Sequence, residues 1–513
     1  MKCALILSAA LLVGAGGLAP AQAQQGIDLV KQAVAAQGGA EALRGLKTIG
    51  ITAKGQHWEP GQSYQPGGEA RFLGDSEISV TWDLAKDAAR SAWDRSMKYP
   101  AVEKLKYTEV VMPSLGMVVN DKGPQPMSGI RVAASLRELE RASPVLLLRA
   151  LDAPQSVSAL PDQPFGEVTM PAVAFTDRGT NFVILFDRAT HLPMVVRTRD
   201  DDHVYGDSNY DLVMDDWRDV AGVKIARTLT YLLNGMRVQS LAYDEVVANP
   251  TISADAFAIG DQFRLASGTT AADVPYQWVL RRLFLGRFTD SDKVVVPTGG
   301  SFKLVELAPN VQQVVGGGAN NLIVAMNDGL VIFDAPCCET QSRWVIDAAK
   351  AKYPGKPIKY LVLTHHHMDH TGGSRAYVAE GATVVVPDTA HAYFEHNLAL
   401  PHTVVADAQQ KDGKPLHVAG VANEMSIKDD TVEIRLQKID NPHVDGMLIG
   451  YVVQPNIVWV TDIWSPGRDA AKTPGVLALD AAVKKLGITG ATFAGGHGGN
   501  AKQEKLDAIL AAN

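Results

Sequence analysis

Residues 360–373 read Tyr-Leu-Val-Leu-Thr-His-His-His-Met-Asp-His-Thr-Gly-Gly, and this stretch decides how the chain is organised. Tyr360 to Leu363 is a short apolar run of the kind that forms a buried strand. Gly372 and Gly373 allow a tight turn into a helix beginning near Ser374. His365, His367, Asp369 and His370 therefore stand at the C-terminal edge of a strand, where α/β sheets place ligands. Neutral imidazole is the commonest protein metal ligand, and aspartate adds a hard oxygen suited to zinc. A histidine-rich loop, or a core histidine held by hydrogen bonds, is the plainer reading of any one of these residues. Four donors within six residues favour a metal site.

The spelling His-x-His-x-Asp-His resembles the signature of the metallo-β-lactamase superfamily, and the rest of that pattern is present in order. Asp334 ends the apolar run Leu330-Val331-Ile332-Phe333 and precedes Ala335-Pro336. His443 sits in Asn441-Pro442-His443-Val444-Asp445-Gly446, Asp462 follows Ile457-Val458-Trp459-Val460-Thr461, and His497 lies in Ala494-Gly495-Gly496-His497-Gly498-Gly499. The resemblance implies an αββα sandwich, two mixed sheets face to face with helices outside and the ligands on loops at one edge. It also implies a site for two divalent cations. His365, His367 and His443 would hold the first, Asp369, His370 and His497 the second, and Asp462 would bridge them. Zinc leads, and the mixed nitrogen and oxygen donors also suit iron or manganese.

The implied chemistry is attack by a hydroxide shared between the two ions on an ester, lactone, thioester or amide carbonyl. Asp369 would orient that hydroxide or carry a proton to the leaving group. Asp462 makes the resemblance nearer to the glyoxalase II and lactonase-like branch than to zinc β-lactamases, which generally lack a bridging aspartate. A turn or cap is the plainer role for Asp462, since Ser465-Pro466-Gly467 follows.

A chain of 513 residues exceeds one ordinary domain. Its hydrophobic content of 46% is typical of globular protein. A net charge of −8 offers no basic groove, which disfavours nucleic acid as a partner. Met1-Lys2, the apolar run Ala4 to Leu18 broken by Gly14, Gly16 and Gly17, and Ala21-Gln22-Ala23 read as a signal peptide cleaved after Ala23. That run is short for a membrane span of about 20 residues. The expected location is therefore periplasmic or secreted, with no stable membrane anchor. Cys3 leaves with the signal, and the adjacent Cys337 and Cys338 are expected not to bridge.

The expected fold class is α+β with two domains. Residues 1–23 are the signal, 24–266 an antiparallel β-rich domain with helices, 267–300 a linker with a short helix over Tyr276 to Leu285, and 301–513 the catalytic sandwich. Alternating runs at Gly50 to Ala53, Ala70 to Leu73, Glu77 to Trp82 and Arg90 to Trp93 predict strands. Asn181 to Phe186 and His191 to Arg197 predict a hairpin, and the spacing predicts helices over Gly26 to Leu46 and Ala133 to Leu151. This helix-then-meander order, with Leu192-Pro193 and Asn249-Pro250, resembles lipoprotein-carrier proteins. That resemblance implies a sheet able to hold an apolar ligand; a scaffold packed on the catalytic domain is the plainer reading.

The function expected is that of an exported dinuclear metallohydrolase acting on a small-molecule carboxylic ester or lactone. β-Lactam hydrolysis and non-catalytic ligand binding by the N-terminal sheet are the alternatives, and a homodimer stays open. Trp464, and Cys337 near Asp334, are candidate substrate contacts, with packing the plainer role of each. The segment His391 to His396 is a candidate rim.

Overall fold

The computed structural model describes residues 20–113, 115–263 and 302–512. The start of the expected signal peptide and the whole linker helix lie outside the described residues.

Residues 48–248 build one 13-stranded antiparallel sheet. Strands consecutive in the chain pair with each other, except that the sixth, Gly123–Pro126, and the seventh, Val157–Phe165, are the two edges, and the first, Thr48–Glu59, pairs with the last, Met236–Ala248. Two meanders are thus joined edge to edge, with the helices Gly129–Ala142 and Leu146–Asp152 between them in the chain. The two short runs expected at 70–73 and 77–82 form a single strand, Arg71–Asp83. The apparent break is a bulge: His57 opposes Gly74 while Trp58 opposes Phe72, so Leu73 is the extra residue. Gly74 sits there at φ 147, and a Cβ on it would come within 2.3 Å of the Ser96 carbonyl.

The single helix expected over Ala133 to Leu151 divides at Ser143-Pro144. Ser143 is extended at φ −66 and ψ 124, as a residue preceding proline must be. The expected hairpin forms between Thr180–Phe186 and Pro193–Asp202. Its turn is tied by Asp187, whose Oδ1 accepts from the backbone of Thr190 at 2.7 Å and of Ala189 at 3.1 Å. A cavity of about 190 Å³ lies between the sheet and helix Gly129–Ala142, walled by Ile78, Trp82, Trp93, Leu139, Leu241 and Tyr243.

Residues 303–502 form two further sheets, of seven and six strands. In the first, Leu330–Phe333, Ile358–Val362, Thr383–Pro387 and Val418–Val421 run parallel in consecutive positions. In the second, Glu433–Ile439 and Met447–Val452 lead antiparallel into Ile457–Val460, which pairs parallel with Thr492–Gly495. Phe333, Val362, Leu436, Leu448 and Trp459 interlock between the two sheets. Helices Glu339–Lys352, Ser374–Glu380 and His391–Leu398 cover the outer face of the first, and Pro474–Lys485 and Gln503–Ala511 that of the second. This is the αββα order, beside a large antiparallel domain, and the chain is α+β.

Two seams join the halves. At one, Asp207 accepts from the Val404 backbone at 2.9 Å, and His402 lies 2.7 Å from Asp201 with both side chains buried. At the other, residues 59–71 and Tyr99 of the N-terminal sheet reach the histidine cluster described below.

The sandwich leaves no spare room where its sheets meet. A Cβ on Gly450 would lie 2.3 Å from Cε1 and 2.6 Å from Cζ of the buried Phe333 ring. Gly450→Ala should therefore destabilise the protein by about 1–3 kcal/mol, the usual cost of overpacking a filled core. A denaturation midpoint equal to that of the parent would show that the interface can yield.

Candidate metal centre

The parallel strands of the first sheet end side by side at the edge that carries the histidines. Asp334 follows Leu330–Phe333, and Thr364-His365 follows Ile358–Val362 after one residue. Asp334 is fully buried. Its Oδ1 accepts from Thr364 N at 2.8 Å and Thr364 Oγ1 at 2.9 Å, and its Oδ2 from Trp459 Nε1 at 3.1 Å. One carboxylate thereby ties two strand ends of the first sheet to a strand of the second. His367 precedes a short helical turn, Met368–Thr371, which lifts Asp369 and His370 over the same edge. His443 enters on the loop before Met447–Val452, Asp462 just after Ile457–Val460, and His497 just after Thr492–Gly495.

Seven side chains converge from these loops in two groups. His365, His367, His443 and Asp462 form one, and Asp369, His370 and His497 the other, with the candidate ligand atoms of each group within 4.8 Å of one another. Asp462 lies between the groups. Its Oδ2 is 3.0 Å from His365 Nε2, 3.2 Å from His443 Nε2 and 3.2 Å from His370 Nε2, while its Oδ1 is 3.0 Å from His497 Nε2.

The outer hydrogen bonds of His365, His367 and His497 fix which nitrogen of each faces inward. His367 Nε2 lies 3.1 Å from the Ser63 carbonyl, which can only accept, so Nε2 bears the proton and Nδ1 a lone pair. That Nδ1 is 2.9 Å from His443 Nε2. His497 Nδ1 lies 3.2 Å from the Gly318 carbonyl, which leaves its Nε2 facing His370 Nε2 at 3.1 Å. Thr364 Oγ1 donates to Asp334, so at 3.1 Å it accepts from His365 Nδ1 and turns the His365 Nε2 lone pair toward Asp462.

Lone pairs and a carboxylate thus point at one another at hydrogen-bond distance. Such a set is stable only with positive charge among its members, supplied by protons or by cations. The donor types and their convergence fit divalent metal ions.

The pKa shifts divide the same way. Burial holds His365 below the ordinary imidazole value and His367 well below it, so both are neutral and able to ligate at neutral pH. Burial also pushes His366 down to about 3, with its Nε2 on the Ser63 carbonyl at 2.9 Å. For His370 and His497 burial works against protonation, but nearby Asp462 and Asp369 outweigh it and raise both. Burial works against the Asp462 carboxylate, yet the surrounding imidazoles hold it well below the usual range.

Other sequence expectations need correction. Trp464 does not wall a site: it is 2% exposed and packs edge-on against Phe493 at 5.3 Å within the outer core of the second sheet. Cys337 does not face substrate either, and the two cysteines do bridge. Cys337 and Cys338 form a disulfide between adjacent residues, with Cα atoms 3.7 Å apart. Cys337 takes φ 62 and Cys338 φ −167, a backbone reversal that places both sulfurs on one side. Both are buried and join the hydrophobic cluster under the N-terminal sheet, together with Met368.

The residues that the sequence reading missed come from the N-terminal sheet. Gln62 Nε2 donates to Asp369 Oδ1 at 2.6 Å, and Arg71 donates to the His443 carbonyl at 2.8 Å. Tyr99 lies 6.3 Å from the His443 ring, centroid to centroid. Their signal was Glu59-Pro60-Gly61-Gln62-Ser63, a proline and glycine interruption between two long strands.

The family model described as "Metallo-beta-lactamase superfamily" matches residues 314–498. These residues are a metallo-beta-lactamase superfamily domain. Among curated proteins, an (R)-specific secondary-alkylsulfatase from Pseudomonas sp. is 36% identical over 78 residues, 15% of this chain and 12% of that protein. A linear primary-alkylsulfatase from Pseudomonas sp. is 33% identical over 78 residues, with the same two coverages. The match therefore spans about an eighth of the length of these relatives. Among solved structures, a metallo-beta-lactamase from Hirschia baltica is 20% identical at a TM-score of 0.31, covering 40% of this chain and 95% of its own. A stereoselective inverting sec-alkylsulfatase from Pseudomonas sp. is 21% identical at 0.32, covering 47% and 44%.

If the superfamily domain holds two ions in the two groups, single substitutions will separate them. Zinc-equilibrated Asp369→Ala should retain about one ion per chain and Asp462→Ala fewer still, by mass spectrometry of metal content, with native circular dichroism and melting temperatures lowered in step with the ions lost. Unchanged zinc content in Asp462→Ala would place the ions elsewhere.

Proposed function

We propose that the chain is an exported metallohydrolase that uses two divalent cations, zinc foremost, to cleave an ester or lactone of a small apolar molecule. The observation that carries this reading is the position of Asp462, with one carboxylate oxygen toward His497 and the other toward His365, His443 and His370. A carboxylate so placed would lie within reach of a cation in either group.

When bound, a pair of divalent cations supplies a water acidified toward neutrality and an electrophile for the substrate's oxygen. The chain's own residues set the terms of that chemistry. His365, His367 and His443 would hold one cation, with His365 and His367 fixed in orientation by Thr364 and Ser63. Asp369, His370 and His497 would hold the other, with His497 oriented by the Gly318 carbonyl. Asp369 turns Oδ2 toward His497 and His370, at 3.7 and 3.9 Å, and this is the oxygen it would give to that cation. Buried Asp334 holds the strand ends that bear these groups.

Cleavage of an alkyl sulfate ester is the second reading, and the local identity to two alkylsulfatases favours it. Both readings share the metal centre and differ in the group attacked. The cavity over the N-terminal sheet supports ligand binding as an added or separate role. Export rests on the sequence of residues 1–23 alone.

Hydrolysis of a panel of p-nitrophenyl esters, lactones, alkyl sulfates, thioesters and β-lactams by the zinc-loaded chain without residues 1–23 tests the proposal. Turnover of esters or lactones, abolished by chelator and restored by zinc, is the expected result. Turnover confined to alkyl sulfates would transfer the assignment to the second reading. Efficient β-lactam turnover would overturn the choice of substrate class.

A further inference from the structure

We propose that Gln62, carried by the N-terminal sheet, is a positioning residue of the metal centre that fixes Asp369 to present one oxygen to its cation. The proposal rests on the two-cation reading above and extends it to a residue outside the superfamily domain.

Gln62 ends the 3₁₀ turn Pro60–Gln62, which directly continues strand Thr48–Glu59. Its side chain crosses the seam between the domains and is buried, at 3% exposure. Nε2 donates to Asp369 Oδ1 at 2.6 Å, and Oε1 accepts from the Tyr99 hydroxyl at 2.6 Å. The amide cannot turn over without setting its oxygen against the Asp369 carboxylate. Arg71 secures both neighbours. Its guanidinium lies 4.5 Å over the Tyr99 ring and donates to the Gln62 carbonyl as well as to the His443 carbonyl. Glu59 caps the turn by accepting from Gly61 N at 2.7 Å. The next residue, Ser63, provides the carbonyl that sets the tautomer of His367.

The consequence for Asp369 is geometric. An aspartate carboxylate rotates broadly about its last torsion and can give a metal one oxygen or two. A short bond from an amide N–H to an ionised oxygen removes that freedom and occupies Oδ1. Oδ2 then stays turned toward His370 and His497. Loss of such an outer-shell partner typically weakens metal binding 10–100-fold. Gln62 touches no residue of the His365, His367 and His443 group through its side chain in the hydrogen bonds described, so the effect should be confined to one of two ions.

The test is stepwise cobalt(II) titration of the whole chain, followed by visible absorption and chelator competition, with thermal melting in parallel. Gln62→Leu keeps the volume and removes the donor. It should weaken the ion assigned, by comparison with Asp369→Ala, to the Asp369 group by about 10–100-fold. That ion's visible band should change while the other ion's affinity stays within about threefold. Tyr99→Phe leaves Gln62 in place and should act in the same direction to a smaller degree, which keeps the test valid if Gln62→Leu fails to fold. Equal affinities and spectra in parent and variants would overturn the proposal. So would a parallel fall in both affinities and in melting temperature, the mark of a staple between domains. A parent chain that binds fewer than two ions would instead contradict the two-cation reading itself.

Discussion

The structure depends on a set of lone pairs and carboxylates buried against one another. His367 and His443 meet nitrogen to nitrogen at 2.9 Å, His370 and His497 at 3.1 Å, and the Asp462 carboxylate stands among four imidazoles. Burying like-charged or lone-pair groups together is costly unless compensating charge joins them. Much of the surrounding architecture holds this arrangement in place. Asp334, Cys337 and Asp462, at the ends of the strands that carry the cluster, all adopt positive φ, at 58°, 62° and 57°. For residues with a Cβ this costs about 1–2 kcal/mol each, which the strand-end hydrogen bonds must offset.

The edge is not built by the superfamily domain alone. Ser63 sets one histidine tautomer, Arg71 holds the carbonyl of His443, and Gln62 holds Asp369. All three lie where two long strands of the N-terminal sheet run past their hairpin partners into a proline and glycine turn. The same sheet contacts the sandwich at Asp201 and Asp207, and the buried disulfide of Cys337 and Cys338 packs into its core cluster. The large sheet is thus more than a platform beside the sandwich. Its turn at 60–63 is part of the wall of the metal centre.

The sandwich was readable because its signals are local and chemical. The runs at 330–333, 360–363 and 457–460 are short and apolar, as segments covered on both faces must be, and each is followed closely by a residue of the site. The N-terminal domain was readable as antiparallel from alternation, but the bounds of its elements were not. A bulge at Leu73 looks like a turn in sequence, and Ser143-Pro144 looks like a minor flaw in one helix. Trp464 misled because a tryptophan two residues from a ligand looks like a site wall, while its ring points into the core beneath. The adjacent cysteines misled because general geometry disfavours their bond, and only the positive φ of Cys337 shows how it forms. Gln62, Ser63 and Arg71 carried only the faint signal of the proline and glycine interruption at 60–61, because their partners lie 304 to 372 residues away in sequence and nothing in residue type marks such a contact.

The most direct test of the central claim is anomalous diffraction from crystals of the chain grown with zinc. Two strong peaks should flank the Asp462 carboxylate, one bounded by His365, His367 and His443 and the other by Asp369, His370 and His497. A single peak, or none with the imidazole pairs hydrogen-bonded to each other, would contradict it.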